Sequence, residues 1–285
     1  MKPAAFDYHA PATLDHALAL LAVHAEEARI LAGGQSLVPT MAFRMARPGV
    51  LVDINRISAL AYAAGEDGVL RIGALARHAW FETPRVAGPL GRLLPAVANS
   101  IAHAPIRIRG TFCGSLAHAD PASEWCATVL ALGGSMALAG PSGGREVAAK
   151  DWFQGVFTTA MQPGEILVEA RLPLLDDAWR CGFAEFSRRV GDFALAMAVV
   201  VVRLEDGLIQ KARIALGGIG ATPVLAAEAA AELIGLAPSA SAARLAARRA
   251  SEACHPQEDL HATAAYRRDL VGAMVRRALE KAFTA

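Results

Sequence analysis

Two kinds of hydrophobic spacing succeed one another along the chain, and their order divides it. Thr13 stands ahead of Leu14, Ala17, Leu18 and Leu21, the i, i+3, i+4, i+7 pattern of a capped amphipathic helix. The apolar run at 28–31 predicts a strand, residues 37–44 a helix, and residues 50–54 a second strand after the Pro48-Gly49 break. These make a small α/β unit of residues 1–55. Next, 60–64 and 69–72 flank Gly65-Glu66-Asp67-Gly68, whose Asp-Gly step marks a hairpin. Helical spacing returns at 75–81 and at 90–101, where Leu90, Leu93, Leu94, Val97 and Ile101 share one side. An apolar segment at 127–132 leads to a second hairpin, 136–139 with 145–148, around Pro-Ser-Gly-Gly. Residues 151–157 read as an aromatic-rich turn or short helix, and 164–172 as a strand closed by Pro173.

The polar stretch 174–180 is the predicted boundary between two domains, 1–175 and 176–285, the first divided again near residue 55. Beyond it, 181–189, 194–204 and 208–216 read as three antiparallel strands, the last two joined by Glu205-Asp206-Gly207. Thr222-Pro223 has the form of an N-cap followed by proline, opening a helix that Gly235 would end. A closing helix over 259–283 carries Val271, Met274, Val275 and Ala278 at helical spacing. Strands followed by helices give an α+β domain.

Composition narrows the function classes. The 285 residues are 54% hydrophobic and 19% charged, so a large core is expected and long disorder is not. A net charge of +1 gives no case for nucleic acid or an anionic membrane surface. The four cysteines, Cys113, Cys126, Cys181 and Cys254, are scattered without a C-x-x-C pair, which supplies no zinc or iron–sulfur ligand set. Reduced thiols and the lack of a signal-peptide pattern at the amino terminus point to the cytoplasm. The apolar run at 193–202 is ten residues long, too short for a membrane span.

Chemistry concentrates in two glycine loops. In the first, the run at 30–31 enters Ala32-Gly33-Gly34-Gln35-Ser36 and continues into Leu37, a strand–loop–helix order that offers backbone N–H groups to an anion. The second is Thr111-Phe112-Cys113-Gly114-Ser115, preceded by Arg107 and Arg109 and followed by His118, Asp120 and Glu124. Either loop alone reads as an ordinary turn between core elements.

Together these loops resemble those of the FAD-binding medium subunit of the molybdenum hydroxylases, the group of carbon monoxide dehydrogenase-type enzymes and relatives of xanthine dehydrogenase. The resemblance extends to LVDIN at 51–55, GEIL at 164–167, RRVGDFAL at 188–195 and HATAAYRRDL at 261–270. It implies a two-part FAD-binding domain of the vanillyl-alcohol oxidase-like (PCMH) type, followed by an α+β domain with a three-stranded antiparallel sheet. It further implies that Ala32, Gly33, Gly34, Gln35, Ser36 and Leu37, with Thr111, Gly114 and Ser115, hold the FAD pyrophosphate. Glu124 and Asp120 belong to the same motif, Glu124 at a position that contacts ribityl or ribose hydroxyls. Ile101, Ala102 and Leu167 match positions lining the flavin, and Phe193 an aromatic beside the ring. Read without the resemblance, Glu124 could equally face solvent, and Ile101, Ala102 and Leu167 could be ordinary core.

Three residues depart from the family pattern: Cys113 where glycine is common, Ile108 in place of an asparagine, and Glu185 where lysine is frequent. The implied activity is electron transfer, with a molybdenum cofactor on a large subunit and two 2Fe–2S clusters on a small one, assembled as a dimer of heterotrimers. No catalytic residue and no metal ligand is expected in this chain. The rivals are a stand-alone flavin oxidase or reductase of the same fold and a scaffold that has lost flavin.

Overall fold

The computed structural model describes residues 2–284. Its amino-terminal unit is a parallel sheet in which Val50–Asp53 lies between Asp7–His9 and Ala28–Leu31. Helix Leu14–His24 buries Ala17 and Leu21, and the Thr13 hydroxyl accepts from His16 N at 3.2 Å, as a helix N-cap does. Asp7–His9 is too short to carry a strand signal; it forms by joining the free edge of Val50–Asp53.

A second sheet is antiparallel, with Ala63–Glu66, Val69–Gly73, Ile166–Pro173, Ser135–Gly140 and Gly143–Ala148 in that order. Both sequence hairpins are therefore present, and the distant strand Ile166–Pro173 is inserted between them. Helix Gly88–Ala98 takes the second of the two helical patterns. At 75–81 only a 3-10 turn, His78–Glu82, forms, because Arg77 bridges to Thr111 and the Ala76 carbonyl accepts from Phe112 N. Helix Glu124–Leu132 is buried at every position, since it contacts both this sheet and the next.

The third sheet runs Trp179–Phe186, Ala196–Glu205, Leu208–Gly217 and Val224–Leu225, all antiparallel. Alternation in Ala196–Glu205 assigns Met197, Val199 and Val201 to one core and Ala196, Ala198, Val200 and Val202 to the other. Both faces are covered, which is why the sequence there is continuously apolar rather than alternating. Helices Ala240–Ala253 and Ala264–Thr284 close the outer face. Gly182 allows the last helix its close approach, because a Cβ there would collide with the Ala278 carbonyl.

Two expectations at the carboxyl end are corrected. Thr222-Pro223 does not open a helix: Val224 and Leu225 pair with Leu216 and Ala215 as a fourth strand, and the helix starts at Ala227. The closing helix starts at Ala264, since Asp259 Oδ1 accepts from the amides of His261 and Ala262 and holds that stretch as a turn. Among the described residues no helix is long and apolar enough to cross a membrane.

Candidate cofactor site

The first loop lies at the carboxyl ends of the parallel strands Ala28–Leu31 and Val50–Asp53, where open α/β sheets place their ligands. Gly34 has φ +72°, which favours glycine. The first bond of the following helix runs from Val38 N to the Gly34 carbonyl at 3.0 Å, so the amides ahead of it have no partner within the helix.

In the second loop, helix Ala104–Arg109 ends at Gly110 and helix Phe112–His118 begins. Thr111 is the N-cap of the latter, its hydroxyl accepting from Gly114 N at 3.0 Å. A Cβ at Gly114 would lie 2.5 Å from that hydroxyl, so glycine here is explained by the cap. Cys113 is accommodated by turning inward, with its thiol 3.4 Å from the Ile72 carbonyl and its pKa pushed up to about 12 by burial.

The two loops touch through their backbones. A Cβ on Gly33 would lie 2.5 Å from the Arg109 carbonyl oxygen and 2.7 Å from Gly110 Cα. A polar clasp spans the same junction. Asn55 Nδ2 donates to the Ala32 carbonyl at 2.7 Å and Asn55 Oδ1 accepts from Arg77 at 2.6 Å, while Arg77 also donates to the Arg109 carbonyl. His78 N donates to the Gly110 carbonyl at 3.0 Å, and its buried ring accepts from Trp125 Nε1 at 3.0 Å. Burial first, then Arg77 and Arg107, push His78 down to about 4, which keeps the ring neutral and able to accept.

Asn55, Arg77, His78 and Trp125 were not legible as site residues. The resemblance takes in Asn55 through LVDIN and His78 through IGAL…H at 72–78 without giving either a role, and no spacing rule links asparagine to arginine across this distance. Of the two arginines that precede the second loop, Arg107 is turned to internal partners. It pairs with Glu82 at 2.5 Å and donates to the Ile101 and Ala102 carbonyls at 2.9 and 3.0 Å. That holds Ala102 at φ +43°, beside the approach of Gly191.

The remaining candidates are divided between core and cavity. Ile101 and Leu167 are buried in the hydrophobic core, Leu167 next to a bulge in Ile166–Pro173. Asp120 and Phe193 meet in a cavity of about 660 Å³, together with Leu195, Gly218 and Arg267. Phe193 is 70% exposed, an unusual state for an aromatic side chain. Asp120 Oδ1 accepts from Ala122 N at 2.9 Å, fixing the turn into helix Glu124–Leu132.

Glu124 is buried at the first turn of that helix, and burial, with Asp120 adding, pushes its carboxyl up to about 7. Burial, with Glu124 adding, likewise pushes Glu185 up to about 8. Glu185 Oε2 is buried and finds no hydrogen-bond partner among the described residues.

This arrangement fits a flavin dinucleotide: a first loop whose amides find no partner in the helix that follows, a second loop in backbone contact with it, a buried carboxyl oxygen lacking a donor, and an exposed aromatic on the wall of a cavity. The fold and site define a flavoprotein built from a two-part cofactor domain and an antiparallel sheet backed by helices. Comparison with known proteins makes this specific. Residues 4–175 match the family described as FAD binding domain in molybdopterin dehydrogenase, and residues 182–282 the CO dehydrogenase flavoprotein C-terminal domain. The chain is 41% identical over 283 residues to the 6-hydroxypseudooxynicotine dehydrogenase complex subunit alpha of Paenarthrobacter nicotinovorans, covering 99% of this chain and 96% of the relative. It is 37% identical to the carbon monoxide dehydrogenase medium chain of Afipia carboxidovorans, covering 99% and 98%. The structure superposes on carbon monoxide dehydrogenase from Hydrogenophaga pseudoflava with a TM-score of 0.95, at 37% identity, covering 100% and 99% of the two chains. The chain therefore belongs to the FAD-binding medium subunits of the molybdenum hydroxylases.

Proposed function

We propose that residues 32–37 and 111–115 hold the FAD pyrophosphate, that Glu124 and Asp120 face its hydroxyl-bearing chain, and that Phe193 flanks the ring, with Ala102 at the near edge. The observation that carries this reading is the backbone contact between the loops at Gly33, which makes two turns far apart in sequence into one surface. Bound FAD supplies the capacity to take up electrons and hand them on. The chain's own part is to bind and orient. Amides of the first loop meet negative oxygens, neutral His78 keeps its ring on Trp125, and Arg107 shapes the turn at 101–102. Ile101 and Leu167 exclude water by filling the core behind the site.

Residues 1–175 act as the cofactor domain and 176–285 as a second domain against it. The physiological unit is a cytoplasmic dimer of heterotrimers. A small subunit with two 2Fe–2S clusters delivers electrons, and a large subunit with the molybdenum cofactor oxidises the organic substrate. The test is co-expression of the three chains. The complex should contain one releasable FAD per copy of this chain and reduce it on adding substrate, whereas the isolated chain should bind FAD but leave it oxidised. Substrate-driven reduction in the isolated chain at the rate of the complex would favour a stand-alone oxidase. A chain that takes up no FAD would favour a scaffold.

A further inference from the structure

Packing at Gly33 brings the loops into contact, but contact alone does not set the direction in which their peptide groups point. That direction is fixed by two polar side chains from separate parts of the fold. Asn55 follows strand Val50–Asp53 of the parallel sheet, and Arg77 follows strand Val69–Gly73 of the antiparallel one. We propose that Asn55 and Arg77 form a positioning pair that sets the spacing and orientation of the two glycine loops and thereby the affinity for FAD. The inference rests on the reading that these loops hold that cofactor.

The backbone N and both side-chain polar atoms of Asn55 are committed. Its backbone N and its Nδ2 donate to Asp53 Oδ1 at 2.9 and 2.6 Å, Nδ2 also donates to the Ala32 carbonyl, and Oδ1 accepts from Arg77. Asp53 is steadied by Tyr8, whose hydroxyl donates to Oδ2 at 2.5 Å. A carbonyl and the next residue's N–H lie in one planar peptide and point opposite ways. Holding the Ala32 oxygen on Asn55 therefore turns the Gly33 amide away from Asn55. Arg77 acts on the other loop, where its guanidinium takes the carbonyl of Arg109, the last residue of helix Ala104–Arg109, and so adds to the cap that Gly110 N makes on the Ile106 carbonyl.

The fork is what the position requires. One arm reaches Asn55 and the other Arg109, so a single planar group joins both loops. A lysine would keep the charge but offer a compact ammonium on a flexible stem, without the rigid fork. Burial first, and then the nearby Arg109 charge, lower the Arg77 pKa. Both disfavour a cation there, so charge alone does not account for arginine at this place.

The pair can be tested in the full chain, stripped of flavin and titrated with FAD, using Arg77→Met, Arg77→Lys, Asn55→Ala and the Arg77→Met/Asn55→Ala double variant. Each single loss should weaken FAD binding by about 10- to 100-fold, the scale of one or two charge-assisted hydrogen bonds. The double variant should be no weaker than the worse single, and Arg77→Lys should stay within a few-fold of Arg77→Met. Hydrogen exchange at residues 33–36 of the flavin-free chain should quicken in both single variants with little change in melting temperature. Full affinity in Arg77→Lys would overturn the proposal in favour of charge. Multiplying losses in the double variant would overturn the pairing. Unchanged exchange at 33–36 would overturn the positioning role without reference to FAD. Failure of the unaltered chain to bind FAD, with exchange still dependent on Arg77, would refute only the cofactor reading.

Discussion

Gly33→Ala is the smallest change that should separate cofactor binding from folding. The added methyl would sit 2.5 Å from the Arg109 carbonyl oxygen, 2.7 Å from Gly110 Cα and 3.1 Å from the Arg109 carbonyl carbon. All three are backbone atoms, so no side chain can rotate aside. Ordinary contact is restored only if the loops part by roughly 1 Å, and overpacking of this kind costs about 1–3 kcal/mol. The same movement stretches the bond from Arg77 to Asn55 Oδ1, now 2.6 Å, which crosses the junction. Hydrogen bonds weaken quickly beyond this range. Part of that cost falls on the free chain and part on the site, which must reassemble to bind. FAD affinity should therefore drop by about 10- to 100-fold, with the higher figure corresponding to about 2.7 kcal/mol. Titration of the flavin-free chain, followed by quenching of flavin fluorescence, gives the dissociation constant, and circular dichroism gives the melting temperature. Gly34→Ala is the control: its φ of +72° makes it strained as well, yet its near neighbours are the side chains of Leu31 and Val38, which can yield. It should lose less affinity at similar stability. If Gly33→Ala binds FAD as tightly as the unaltered chain, the two loops do not act as one surface.

Other outcomes follow from burial and charge. Glu124 and Glu185 have folded pKa values above the ordinary carboxylate range, at about 7 and about 8, so the stability they permit is full below the unfolded pKa and is lost as pH rises through neutrality. His78, lowered to about 4, works in the opposite sense, contributing stability above its unfolded pKa that is lost as pH falls towards the folded one. Melting of the flavin-free chain should thus weaken on both sides of neutrality, and Glu185→Gln should flatten the alkaline limb alone; an unchanged alkaline limb would remove Glu185 from the account. Gly182→Ala forces strand Trp179–Phe186 against the Ala278 carbonyl and should cost about 1–3 kcal/mol in denaturant unfolding, while leaving the two glycine loops unaltered in sequence. Arg267→Met leaves the Leu195 and Gly218 carbonyls without the donor that now meets them at 2.8 and 2.6 Å, and leaves Asp259 without its cation. Asp259 is exposed and stays hydrated, so the two orphaned carbonyls set the expected loss at about 1–3 kcal/mol by the same measurement, and a loss near zero would mean that water replaces the guanidinium.

How far the fold could be read ahead of time depended on how local its causes are. The strand Ala28–Leu31, both hairpins of the antiparallel sheet and the meander after residue 178 follow from period-two patterns and Gly turns, which act within a few residues. Val224–Leu225 was misread because its state is decided by an edge of Leu208–Gly217 waiting to be paired, which overrides the local cap signal at Thr222-Pro223. Helices Ala104–Arg109 and Phe112–His118 were missed because the Gly110-Thr111 step cuts their pattern into pieces too short to show a period. The glycine loops were recognisable as motifs, yet the reason for Gly33 lies in the backbone of the other loop and the reason for Gly114 in the Thr111 hydroxyl. Arg77 and Asn55 have no local signature, since each is defined by the carbonyl it reaches in another segment.

The sequence changes character near residue 176, but the packing does not. Phe183, Met197, Val199, Val201 and Ala215, all beyond that point, complete the same core as Trp125 and Leu132. The inner face of the carboxyl-terminal sheet is thus inherited jointly with the surface it covers. Exchanging this half for that of a relative would bring in a wall cut to another interior, so recombination within the lineage must either carry matching changes in helix Glu124–Leu132 or begin upstream of it. Helix Glu124–Leu132 and the sheet it faces are, in physical terms, one packing unit that runs across both matched segments.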